Sequence, residues 1–213
     1  ITHEHYDHVG GLDDLRPFCR FSEIPIYSDA YTAAHLRVRM LCEGAMMVAL
    51  AQVLSYIKLM ELPNGGSLTP AMFPIILFAV RWGLTPGLMA GFTFGLLQLI
   101  FDGAYAWGWQ SMLLDYLVAF MALGTAEFFA RPFKNRMVGV AVGTAIAGFL
   151  RFMCSFLSGV LVWGNLNEGL SAWTYSLVYN ASYMLPETLI TVVGAVLLIK
   201  AAPQIFDRQY TKA

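Results

Sequence analysis

Six apolar segments follow one another at about residues 38–60, 68–82, 84–101, 110–130, 137–163 and 170–199. Most approach or exceed the roughly 20 residues that a helix needs to cross a bilayer. The second is short, bounded by Pro70 and Arg81. The expected fold is an all-α membrane protein, a bundle of six transmembrane helices over residues 37–213. Composition agrees: 58% of residues are apolar and 13% charged, against roughly 45–50% and 25% in soluble domains. A net charge of −1 leaves no basic face for nucleic acid. Cys42 and Cys154 fall inside apolar segments and are expected to be small core residues rather than a disulfide framework.

The connectors set the orientation. Arg37 and Arg39 precede segment one, Arg81 ends segment two, Arg131, Lys134 and Arg136 follow segment four, and Lys200, Arg208 and Lys212 follow segment six. The three alternate connectors contain no Lys or Arg, and only Lys58 lies close to one. By the positive-inside rule both termini are cytoplasmic, and the Trp- and Tyr-rich connectors face outward. Small residues recur at four-residue steps: Gly83, Gly87, Gly91 and Gly95, then Gly139, Gly143 and Ala147, and also Ala45 and Ala49. The first two stripes are expected to bring helices of the bundle together. The Ala45–Ala49 pair fits either internal packing or a partner helix.

One acid stands out. Asp115, in Ser111-Met-Leu-Leu-Asp115-Tyr116-Leu, lies one to two turns below the outer end of segment four. A charge in a lipid-spanning helix costs roughly 3 kcal/mol unless it meets a partner, a cavity or a ligand. Glu43 and Glu127 are expected near the inner ends of their segments, and Glu187 follows Pro186 past the middle of segment six. Segment five carries Arg151, Ser155, Gly159 and Trp163 at four-residue steps, broadly on one face. Segment six adds Trp173, Tyr175, Tyr179, Asn180 and Tyr183, and Tyr105, Trp107 and Trp109 lie just above Asp115. Two readings stay open. Either the aromatics form an interfacial belt and Asp115 pairs with Arg151, or aromatic faces and a carboxylate enclose a flat cationic ligand.

Residues from about Arg37 onward resemble the thiamine-specific substrate-binding (S) component of energy-coupling-factor (ECF) vitamin transporters. The stretches that carry the resemblance are Leu-Pro-Asn-Gly-Gly-Ser-Leu-Thr69 with Pro74, Arg81-Trp-Gly-Leu-Thr-Pro-Gly87, Asp102-Gly-Ala-Tyr105, Asp115-Tyr116-Leu-Val-Ala119, Arg151-Phe-Met-Cys-Ser-Phe-Leu-Ser-Gly159 with Trp163, and Tyr175-Ser-Leu-Val-Tyr-Asn180. The resemblance implies a multi-pass protein of the bacterial plasma membrane that binds thiamine near its outer face and is not an enzyme. On it, Asp115 answers the ligand's charge, where the family more often has Glu. Tyr105, Tyr116, Trp163 and Tyr175 enclose or hydrogen-bond the rings, Asn180 meets the pyrimidine, and Gly159, Arg151 and Ser155 complete the site. Ser155 stands where the family usually has His, and the first connector lacks the family's Trp. Ala45 and Ala49 match the motif by which S components dock onto a transmembrane coupling subunit. No Gly-x-x-x-x-Gly-Lys-Ser/Thr loop is present, so ATP hydrolysis falls to two separate ATPase subunits of the ECF module. The related alternative is an S component for another vitamin.

Residues 1–36 read differently. Thr2-His3-Glu-His5-Tyr-Asp7-His8-Val-Gly-Gly11 is an H-x-H-x-D-H motif. His3, His5, Asp7 and His8 are the ligand types that hold zinc and generate a bound hydroxide. The stretch resembles metallo-β-lactamase-fold hydrolases, and Leu12-Asp-Asp-Leu-Arg-Pro17 and Ile24-Pro-Ile-Tyr-Ser-Asp29 continue the likeness. About 36 residues are too few to bury a core of their own, and the further ligands of such a site are missing. The chain opens with Ile1. The stretch is therefore expected to be an incomplete stub, a remnant of neighbouring coding sequence, and no cofactor is required elsewhere. The alternative from another class is a metal-dependent hydrolase tethered to a membrane anchor.

Overall fold

The computed structural model describes the backbone of residues 30–62, 66–101, 108–163 and 171–203, and the side chains of these except 30–33 and 163. The His3–His8 motif and Tyr105 lie outside the described residues. Among the described residues seven helices follow in order: α1 (Ala30–Ser55), α2 (Met72–Trp82), α3 (Leu84–Phe101), α4 (Trp109–Leu123), α5 (Ala126–Ala130), α6 (Arg136–Ser158, continuing as a π-helical turn over Gly159–Trp163) and α7 (Ala172–Ala201). A two-stranded hairpin, β1 (Met60–Glu61) and β2 (Ser67–Leu68), joins α1 to α2 with Met60 opposite Leu68. Helix α1 begins ahead of the expected boundary at residue 36.

Among the described residues four helices are long and apolar enough to cross a membrane: Ala34–Ser55, Leu84–Phe101, Arg136–Val162 and Ala172–Ala201. Their outward faces suit lipid. On α7 the exposed residues include Leu185, Leu189, Val193 and Leu197, at four-residue steps, while the buried ones include Ser176, Asn180, Glu187 and Thr191. Apolar outside and polar inside reverses the soluble pattern. The side chains on α1 that face outward include Val38, Leu41, Met46 and Val53, with Cys42, Ala45 and Ala49 among them. Cys42 is thus not a core residue, and Cys154 is only half-buried.

Helix α2 has eleven residues, most of them buried, which at 1.5 Å each extend about 16 Å, well short of a bilayer core. Pro70 cannot donate a helical hydrogen bond and precedes it. Gly83 ends it at φ +93°, a conformation that glycine alone adopts cheaply, and α3 starts at once. Glycines of α3 lie against α4: a Cβ on Gly91 would strike the Phe120 carbonyl, and one on Gly95 the Tyr116 carbonyl. A Cβ on Gly139 would likewise come within 2.6 Å of the Ala130 carbonyl. Gly87, Gly91 and Gly95 of the first stripe and Gly139 and Gly143 of the second therefore pack inside the bundle, in keeping with their spacing, while a Cβ on Gly83 would meet nothing within 4 Å.

The sequence departs from this fold at two places. The first segment leaves helical geometry at Ser55 rather than near residue 60, where the Ser55 hydroxyl donates to the Gln52 carbonyl at 2.7 Å and Tyr56 N–H turns back to Val53 O. The fourth segment breaks between Leu123 and Ala126, because Thr125 donates its hydroxyl to Ala122 O at 2.7 Å and its N–H to the same carbonyl. Two ion pairs hold the end where α2 finishes and α6 begins: Arg81 with Glu43 at 2.6 Å, and Arg136 with Glu127 at 2.9 Å. Arg136 also donates to the Val80 carbonyl at 2.8 Å, satisfying an orphan of the α2 terminus.

Candidate functional site

The far end of the bundle holds a cavity of about 120 Å³ between α3, α4, α6, α7 and the hairpin, where one water needs about 10–15 Å³ by the same measure. Of the nine residues expected at a ligand site, seven line it: Asp115, Tyr116, Arg151, Ser155, Gly159, Tyr175 and Asn180. Tyr105 and the Trp163 side chain are outside the described residues. Phe94, Gln98, Thr69, Tyr179 and Tyr183 also line it.

Asp115 sits in a π-helical stretch of α4, Met112–Val118. Such wider turns interrupt the α-helical ladder and recur at functional sites, and a second one, Gly159–Trp163, lies across the cavity on α6. The carboxylate is held by hydroxyls. Ser111 Oγ donates to Oδ2 at 2.7 Å, and Ser158 Oγ donates to the same oxygen from α6. Ser155 brings its hydroxyl alongside.

Arg151 has a different partner. Its Nη1 donates to Glu187 Oε2 of α7 at 2.7 Å, and Glu187 is almost fully buried. The guanidinium also lies over the Phe120 ring, 4.6 Å from its centroid, a cation–π arrangement. The expected alternative of an Asp115–Arg151 pair therefore gives way to Arg151–Glu187. The reason is geometric: Arg151 reaches inward to α7, whereas the acid of α4 is met by two serines. Sequence reading noted Glu187 but gave it no role because it lacks an aromatic cluster like that around Asp115, although its 36-residue separation from Arg151 spans one helical hairpin.

Tyrosines wall the opposite side. Tyr175 and Tyr179 stack at 5.7 Å and 19°, and Tyr183 meets Tyr179 edge-on at 5.8 Å. Tyr179 Oη accepts from Gly66 N at 2.9 Å, so the hairpin is latched across the cavity. Asn180 donates to the carbonyls of Ser176 at 2.9 Å and Ser155 at 3.3 Å and accepts from Tyr183 Oη at 3.1 Å. Its amide hydrogens are thereby engaged with protein, and its carbonyl oxygen keeps a lone pair for a ligand donor. Gly159 is required where it stands, since a Cβ there would run into the Ser176 side chain. The helix-to-helix approach it permits brings Asn180 to the cavity.

The arrangement is a pocket with tyrosine faces, hydroxyl and amide groups, and one carboxylate without an ion pair among the described residues. Comparison with known proteins decides the lineage. Residues 41–207 match the family described as Thiamine transporter protein (Thia_YuaJ). This chain belongs to that family. The thiamine transporter ThiT of Bacillus subtilis is 34% identical over 177 residues, covering 78% of this chain and 92% of that protein. The solved structure of ThiT from Listeria monocytogenes superposes with a TM-score of 0.71 at 27% identity, covering 80% of this chain and 98% of the other. The S component of a bacterial ECF transporter shares the fold, at TM-score 0.57 and 17% identity, over 81% of this chain and 99% of that one. The family match begins within α1. Among the described residues no three His, Cys, Asp or Glu side chains come together as a metal site.

Proposed function

We propose that this membrane protein is the substrate-capture subunit of an ECF-type importer and takes up thiamine in the cavity around Asp115. One observation carries the reading beyond family membership. Because Arg151 is spent on Glu187, Asp115 is left as the pocket's net charge, and a monocation is what such a pocket accommodates. Thiamine is a permanent thiazolium cation joined to a flat aminopyrimidine. Asp115 answers the thiazolium, Tyr175 and Tyr116 pack against the rings, Asn180 accepts from the aminopyrimidine, and Gly159, Arg151 and Ser155 shape the floor. On the family resemblance, Tyr105 and Trp163 also belong to the site. No cofactor takes part in this scheme.

Six crossings, with both termini cytoplasmic, follow if α2 and α4 traverse together with their flanking residues. The basic residues Arg81, Arg131, Lys134, Arg136 and Lys200 then share the inner side, and the cavity opens outward. The exposed Ala45 and Ala49 of α1 offer a smooth face to a transmembrane coupling subunit, with two ATPase subunits supplying the energy. Ligand enters from outside, the hairpin latches through Gly66 and Tyr179, and docking drives release inward. The reading is tested by titrating thiamine into the purified, detergent-solubilised chain by calorimetry. Saturable one-to-one binding is expected; absence of thiamine binding, with another vitamin bound instead, refutes it.

A further inference from the structure

We propose that Glu187, which does not line the cavity, sets the charge selectivity of the thiamine site by neutralising Arg151. The inference rests on the thiamine reading above and asks how the pocket discriminates a cation from a neutral molecule of the same shape. The described residues that line the cavity include two charged groups, Asp115 and Arg151. Left alone they would cancel, and the pocket would have no preference for a cation. Glu187 alters the sum. Its Oε2 takes Arg151 Nη1 at 2.7 Å, and its side chain is more deeply buried than that of Arg151, 2% against 10% exposed. The other oxygen, Oε1, accepts from Thr69 of the segment following β2 at 3.3 Å, and the Glu187 backbone carbonyl takes Thr191 Oγ1 at 2.8 Å. The acid is therefore fixed from α6 and from the connector that covers the cavity. It acts through Arg151 and Thr69, as a positioning residue, and does not touch the ligand.

The buried pair also explains an otherwise costly choice. A buried ion pair is often no more stabilising than apolar side chains of similar volume, so stability alone gives little reason to keep it. An arginine in the floor supplies donors and a cation–π contact with Phe120, and Glu187 lets it do so without repelling the vitamin. Removing the Glu187 charge returns one positive charge to the floor and opposes the thiazolium directly.

The test measures a ratio. Binding of thiamine and of its neutral thiophene isostere, in which carbon replaces the thiazolium nitrogen, is titrated against the full chain in detergent. For the unaltered protein thiamine binds more tightly. Glu187→Gln keeps one oxygen acceptor for Arg151 and offers its amide N–H to the Thr69 hydroxyl in place of the second acceptor, and is expected to cut the thiamine-to-isostere ratio by about tenfold, at an effective dielectric of about 20. The paired change Arg151→Met with Glu187→Met restores the ratio, because the pocket's sum returns to that of Asp115 alone. Arg151→Met by itself raises the ratio, and this variant decides the matter if Glu187→Gln does not fold. Equal weakening of both ligands in Glu187→Gln means a structural role and overturns the proposal. So does a paired variant that fails to recover the ratio, or an unaltered protein that does not distinguish the two ligands. An unaltered protein that binds neither ligand overturns the thiamine reading itself.

Discussion

Replacing Asp115 by Asn removes one charge and little else. The Asn carbonyl oxygen takes over as acceptor for Ser111 and Ser158, which both donate to Oδ2, so the π-helical stretch keeps its shape. On the proposed reading, what is lost is the attraction between the carboxylate and the thiazolium. At an effective dielectric of about 20 and a separation of about 5 Å this amounts to about 3 kcal/mol. Asp115 is only half-buried, and water at the cavity mouth reduces the figure to about 2–3 kcal/mol. Thiamine affinity is therefore expected to fall about 30- to 150-fold. The neutral thiophene isostere should change less than about threefold. Isothermal calorimetry on both ligands reads the two numbers directly. An unchanged thiamine affinity, or an equal loss for both ligands, refutes the assignment of Asp115 as counter-ion.

Tyr179→Phe removes the acceptor for Gly66 N while keeping the stack on Tyr175, and a net hydrogen bond is worth about 1 kcal/mol. Thiamine dissociation measured by stopped-flow fluorescence should quicken about fivefold, and an unchanged rate means the hairpin is not latched there. Arg136→Met removes the Arg136–Glu127 ion pair and the bond to the Val80 carbonyl and should lower stability by about 3 kcal/mol, seen as a reduced thermal midpoint in detergent with thiamine affinity retained in the folded fraction. Ala45→Trp with Ala49→Trp on the exposed face of α1 should leave thiamine binding intact and abolish uptake by the assembled transporter; preserved uptake would place the partner elsewhere.

The apolar segments and the small-residue stripes made most of the helices legible, because in lipid length and composition dominate. The Gly91 and Gly95 contacts with the Phe120 and Tyr116 carbonyls follow directly from spacing. Breaks were not legible: hydroxyls of Ser55 and Thr125 bond their own helix, and the same residues sit inside unbroken helices elsewhere. The hairpin was hidden because two-residue strands carry no period. In the site, Asp115, Ser155 and Asn180 were visible as polar groups among aromatics. The partner of Arg151 was not, since sequence gives no direction around the helix. Only the packing of α6 on α7 chose between them, and that choice frees Asp115 for a ligand.

The most direct measurement is the structure of the unaltered chain with thiamine bound, at a resolution that places both rings. The account predicts the thiazolium against the Asp115 carboxylate, the pyrimidine beside Asn180 and the Arg151–Glu187 pair intact. Thiamine bound elsewhere, or Arg151 turned from Glu187 to pair with Asp115 in the complex, would contradict it.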